Sequence, residues 1–144
     1  MLKTLSILGY VGMIGGFFGL IALRAVFAPS PWVILVQAAA FGLFLWARVT
    51  FGRRSFHLAA NPTEGGLVTS GPYRFIRHPI YTAFCVFVGA GIAAHGSWAA
   101  TGCGLLVFAS AGLRMYCEEK LVTARYPEYR AYAARSWRLI PFVF

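Results

Sequence analysis

Arg114, Glu118 and Glu119 stand together near the end of a long apolar run, in a chain of 144 residues with only four acidic side chains. Arg114 and Glu118 are four residues apart, so on a helix they share one face. A simple intrahelical ion pair is better made with the acid first, and here the base comes first. Ionisable groups at the edge of an apolar segment are functional candidates in their own right. The second candidate cluster is GPYRFIRHPIY, Gly71 to Tyr81. His78 and Tyr81 bracket a helix start for which Pro79 is a suitable first-turn residue. The free N–H groups of such a start suit a carboxylate or a phosphate. Alone, His78 and Tyr81 would read as interfacial anchors. The density of Tyr73, Arg74 and Arg77 in the same stretch points instead to half of a binding site. Gly65, Gly66 and Gly71 just upstream permit close backbone approach to a ligand.

Several chemistries are not indicated. No G-x-G-x-x-G, P-loop, H-E-x-x-H or G-x-S-x-G motif occurs. Cys85, Cys103 and Cys117 are widely spaced and set in apolar stretches, so they read as small buried residues. Neither a disulfide framework nor a metal site is expected from them.

The elements that must position these groups are hydrophobic helices. The chain is 59% hydrophobic and 12% charged, against roughly 45–50% and 25% in soluble domains. One all-α integral membrane domain, 1–144, is expected, with spans over about 4–27, 31–48, 79–94 and 97–117. A loop covers 49–78 and a tail 118–144. Leu5 to Leu23 carries no charge and is long enough to cross the bilayer core of about 30 Å. Gly12, Gly15, Gly16 and Gly19 give that span small-xxx-small spacings, suited to packing within the chain or in a homodimer. Pro31 opens the second span and Trp46 with Arg48 closes it.

The loop is long, but its apolar residues (Phe51, Phe56, Leu58, Leu67, Val68) predict that it is ordered. Pro79 to Leu113 is again uncharged and would extend about 52 Å as one helix, too long for a single crossing. His95-Gly96-Ser97 is the natural turn, making spans three and four a tight hairpin. The tail after Glu119 is basic and aromatic and reads as an interfacial helix.

Net charge is +9. Because the arginines flank apolar runs, membrane lipids and an anionic ligand are the expected partners rather than nucleic acid. Four spans put Lys3, the loop arginines, Arg114 and the tail's cations on one side, with only Arg24 on the other. The positive-inside rule then places both termini and the site on the cytoplasmic side.

EGGLVTSGPYRFIRHPIY, a hydrophobic hairpin, RMYCEEKLVTARYPEYRAY and a closing RLIPF, in that order, resemble the isoprenylcysteine carboxyl methyltransferase family and its membrane relatives. The likeness runs from Glu64 onward. It implies methyl transfer from S-adenosylmethionine, leaving S-adenosylhomocysteine, at the cytoplasmic face. It further implies that Gly65, Gly66, Leu67, Val68, Tyr73, His78, Pro79, Ile80 and Tyr81 wrap the cofactor. Glu118 binds it from the fourth span, and Arg114 meets the substrate. Gly65 stands where the family often has a histidine or other polar residue.

A lipophilic or lipidated acceptor entering from the bilayer fits this picture. A carboxylate acceptor is already a nucleophile, and Arg114 could hold it by paired hydrogen bonds. An amine acceptor must first lose a proton, with Glu119 or His78 as the candidate base. Phospholipid N-methyl transfer and small-thiol methyl transfer are the related alternatives. A sterol-reductase-like NADPH enzyme and a non-catalytic membrane subunit are the more distant ones.

Overall fold

A computed structural model describes residues 1–52 and 66–143. Gly65 and most of the expected ordered loop, 53–65, lie outside the described residues. Among the described residues the fold is all helical: α1 Leu2–Ala22, α2 Pro31–Phe51, a 3-10 turn Gly71–Arg74, α3 Pro79–His95, α4 Trp98–Arg125 and α5 Tyr129–Ala134. Helices α1, α2 and α4 are long and apolar enough to cross a membrane; α3 is apolar but has 17 residues.

Each boundary has a local cause. Helix α1 stops at Ala22, short of the expected 27, because Arg24 adopts a left-handed φ of 55°. Ala25 N–H then donates to Leu20 O and Arg24 N–H to Ile21 O, both at 2.9 Å. This is a Schellman closure, here built without the usual glycine. Gly96, at φ 66°, ends α3, and the Ser97 hydroxyl accepts from Ala100 N–H to start α4. The His95-Gly96-Ser97 turn therefore makes the expected hairpin. Helix α4 continues to Arg125, past the 117 expected for its span. Its last two turns carry the charged residues beyond the apolar section. The tail holds only the six-residue α5, followed by an irregular segment that returns to the bundle.

The helices pack as two pairs, α1 with α4 and α2 with α3, joined through the α3–α4 hairpin. Glycine permits the first pair. A Cβ on Gly16 would stand 2.9 Å from Cys103 O and 2.8 Å from a Val107 methyl. One on Gly9 would be 2.9 Å from Ser110 O. Gly15 faces open space. The glycine face expected from the sequence thus meets α4 of the same chain, with Gly9 added and Gly15 removed. Leu20, Val88 and Val107 are fully enclosed between α1, α3 and α4. Burying such side chains stabilises the fold by roughly 1.5–3 kcal/mol each. The α2–α3 pair is pinned by buried Gln37, whose Nε2 donates to Val26 O at 2.6 Å and Phe87 O at 3.1 Å.

Candidate active site

The hairpin brings the start of α3 beside the polar end of α4, and α1 closes the third side. Tyr81 O–H donates to Glu118 Oε1 at 2.6 Å, and Arg114 Nε donates to Tyr81 Oη at 2.7 Å. Arg114 Nη2 lies 3.4 Å from the same Glu118 oxygen. The intrahelical pair is therefore present but mediated through a tyrosine from the neighbouring helix. Arg114 is 6% exposed. Its Nη1 donates to Ser6 O at 3.5 Å, and its guanidinium lies 5.0 Å from the Tyr10 ring centroid. A buried guanidinium requires such partners, because an unpaired one would carry a desolvation cost of several kcal/mol.

Glu119, one residue on, points elsewhere. Arg138 grips it bidentately, Nε to Oε1 at 3.1 Å and Nη2 to Oε2 at 2.7 Å. His78 Nε2 lies 3.2 Å from Oε1, and Arg77 Nε lies 3.5 Å from it. His78 links the two carboxylates, since its Nδ1 stands 3.8 Å from Glu118 Oε2.

The segment following α5 positions Arg138. Trp137 N–H donates to Phe75 O, Arg77 N–H to Trp137 O and His78 N–H to Arg138 O. Ile76 and Trp137 form a parallel bridge. The Thr82 hydroxyl donates to Leu139 O at 2.8 Å. Residues 137–139 thus form a strap across the lip of α3, and the amides of Arg77 and His78 are engaged by it. Beneath the strap, Tyr132 O–H donates to Tyr73 O at 2.7 Å, and Arg77 Nη1 donates to Ala133 O at 3.3 Å. Burial pushes the Tyr73 and Tyr129 phenols well above their ordinary range and Tyr132 up to about 12.

Among the residues singled out from the sequence, His78, Tyr81, Arg114, Glu118 and Glu119 form one connected cluster. Pro79 is fully buried at the start of α3, with Ile80 half-buried beside it. Tyr73 stands back, its ring centroid 5.3 Å from that of Phe51. Gly66, with φ 86°, and the half-buried Leu67 and Val68 lead into the 3-10 turn. They share no hydrogen bond or ion pair with the cluster among the described residues. Arg74 is exposed, whereas Arg77 is drawn inward by Glu119.

Sequence reasoning missed Ser6, Tyr10 and Arg138. Tyr10 lies in an apolar span with no local mark. Arg138 is one of many tail cations, although its place in the RLIPF motif was a usable signal.

The cluster can hold a cationic or hydroxyl-bearing ligand. Glu118 Oε1 is occupied by Tyr81, while among the described residues Oε2 has only a distant imidazole. Residues 32–124 match the family described as Isoprenylcysteine carboxyl methyltransferase (ICMT) family. That stretch is well over half of the chain, contains the lip of α3 and the polar end of α4 but neither α1 nor the strap, and shows that the chain belongs to the family. No curated protein matches the chain.

Proposed function

We propose that this chain, a member of the isoprenylcysteine carboxyl methyltransferase family, transfers a methyl group from S-adenosylmethionine to a lipophilic acceptor, an isoprenylcysteine-like carboxylate being favoured. The observation that carries the reading is the difference between the two oxygens of Glu118. Oε1 is tied to Tyr81, and among the described residues Oε2 is approached only by His78, at 3.8 Å. A carboxylate so held suits the ammonium or ribose hydroxyls of this cofactor, with charge-assisted hydrogen bonds as the attraction. When bound, the cofactor supplies a methyl group on a positively charged sulfur.

The chain's own residues position, orient and exclude water. Tyr81 fixes the Glu118 rotamer through its 2.6 Å bond. His78, Pro79 and Ile80 are assigned to the lip of the cofactor site, with Tyr73, Gly66, Leu67 and Val68 assigned to its wall. Arg114 is oriented by Tyr81, Ser6 and Tyr10, so its Nη2 side is the one directed at Glu118. From there it can hold an acceptor carboxylate, which needs no base. Burial makes this contact stronger than it would be in water. Reaction by positioning and desolvation requires little else of the protein. Glu119 is assigned to holding the strap, because Arg138 engages both of its oxygens. The arginine-rich end that carries the site is assigned to the cytoplasm, where the polar cofactor would enter.

Titration of the purified protein with S-adenosylhomocysteine tests the reading. Micromolar binding that is lost in Glu118→Ala and in His78→Ala is expected; no binding by the wild type rules the reading out. Labelled methyl groups followed into lipid, protein and volatile fractions of membranes then identify the acceptor class.

A further inference from the structure

A second polar recess shares no lining residue with the Glu119 cluster. A pocket of about 400 Å³ is lined by Thr69, Arg74, Tyr132 and Arg135. It is formed where the 3-10 turn meets the end of α5. Tyr132 is buried and its hydroxyl is committed to Tyr73 O, so it forms the floor. The two guanidiniums at the rim are exposed. Arg74 rests 5.6 Å from the Phe75 ring centroid. Neither Arg74 nor Arg135 has an ion pair among the described residues. This contrasts with Arg77, Arg114 and Arg138, which all face carboxylates. Among the described residues no acidic side chain lines the pocket.

The surroundings fix its level. Trp46, Phe75 and Trp137 are large exposed aromatics at the same end of the bundle. Such residues collect at headgroup depth. Two uncommitted guanidiniums and a hydroxyl around a recess match the oxygens of a phosphate better than those of a single carboxylate, since each fork can engage two oxygens.

We propose that Thr69, Arg74 and Arg135 form a phosphate-binding site, separate from the Arg114–Glu118 cluster, that takes the phosphate of a membrane lipid headgroup or free phosphate. The site is independent of the methyl-transfer reading. It ties the 3-10 turn and the end of α5 to one anion, and so fixes the depth of the strap at the bilayer surface.

The test compares two double variants that remove equal charge. Arg74→Ala/Arg135→Ala strips the pocket, whereas Arg125→Ala/Arg130→Ala removes two exposed α4–α5 cations that do not line it. Purified protein is examined by native mass spectrometry for retained phosphatidylglycerol, and by titration with inorganic phosphate. Circular dichroism confirms that both variants fold. The wild type and the Arg125/Arg130 variant are expected to bind alike, with a loss of about tenfold or more in the pocket variant, the scale of one lost charge-assisted hydrogen bond. Loss of lipid alone identifies a headgroup site, and loss of inorganic phosphate as well identifies a general phosphate site. Equal weakening in both variants, or no binding of either probe by the wild type, overturns the proposal.

Discussion

Glu118 and Glu119 are neighbours in sequence, yet α4 turns by about 100° per residue and sends them into different regions. Glu118 enters the helix bundle, where it meets a tyrosine from α3 and an arginine that α1 encloses. Glu119 meets the strap, where three cationic or imidazole side chains converge on it. The first region keeps an oxygen open, while the second has both oxygens engaged. Two identical carboxylates are therefore held differently: one keeps an oxygen without a close polar partner among the described residues, and the other fastens the chain.

The largest effect expected from breaking this contrast is on Glu119. Glu119→Ala leaves Arg77, His78 and Arg138 without their anion, and such a removal costs about 3–5 kcal/mol in a buried pair. The side chains here are partly exposed (Arg138 36%, Glu119 14%), so the lower end applies. Thermal unfolding in detergent measures it. Glu118→Gln, which keeps an acceptor for Tyr81 and Arg114, should act mainly on binding, weakening S-adenosylhomocysteine by about 10- to 100-fold, the equivalent of roughly 1.5–3 kcal/mol for a hydrogen bond to a charged group. Calorimetric titration checks it, and a larger loss of melting temperature than in Glu119→Ala would erase the distinction.

Gly16→Val probes the α1 side of the Glu118 region. Its side chain meets Cys103 O and Val107, and overpacking of this kind costs about 1–3 kcal/mol. Because α1 also encloses Arg114, cofactor affinity should fall along with stability.

The smallest effect concerns the strap's support. Tyr132→Phe removes the bond to Tyr73 O and should cost about 1 kcal/mol. Burial raises the Tyr132 phenol from 10.0 to about 12. The folded state then holds its proton more tightly than the unfolded state does. That contribution to stability is complete below pH 10 and is lost as pH rises to about 12. Denaturation followed across this range should show a shallower decline in Tyr132→Phe than in the wild type.

Much of the Glu118 region was legible because its parts follow local rules. Arg114 and Glu118 are one helical turn apart, and His78-Pro79 marks a helix start. His95-Gly96-Ser97 turns α4 back toward α3. The enclosing residues were not legible. Ser6 contributes a backbone carbonyl, and Tyr10 is one more aromatic in an apolar span. The Glu119 region depended on pairing between Phe75–His78 and Trp137–Arg138, which leaves no periodic pattern in either segment. Arg24 concealed the end of α1, since glycine is the usual marker of a left-handed closure.

The strap also imposes an order of assembly. The hairpin joins residues close in sequence, whereas the bond from Thr82 to Leu139 closes a separation of 57 residues. Contacts across such a distance form after local ones, because loop closure must precede them. A nascent chain halted before Trp137 would hold its apolar helices and the Arg114–Tyr81–Glu118 contacts, while Glu119 waited for Arg138. Maturation of the lip is thus a late event, governed by the arrival of three residues rather than by formation of the helices.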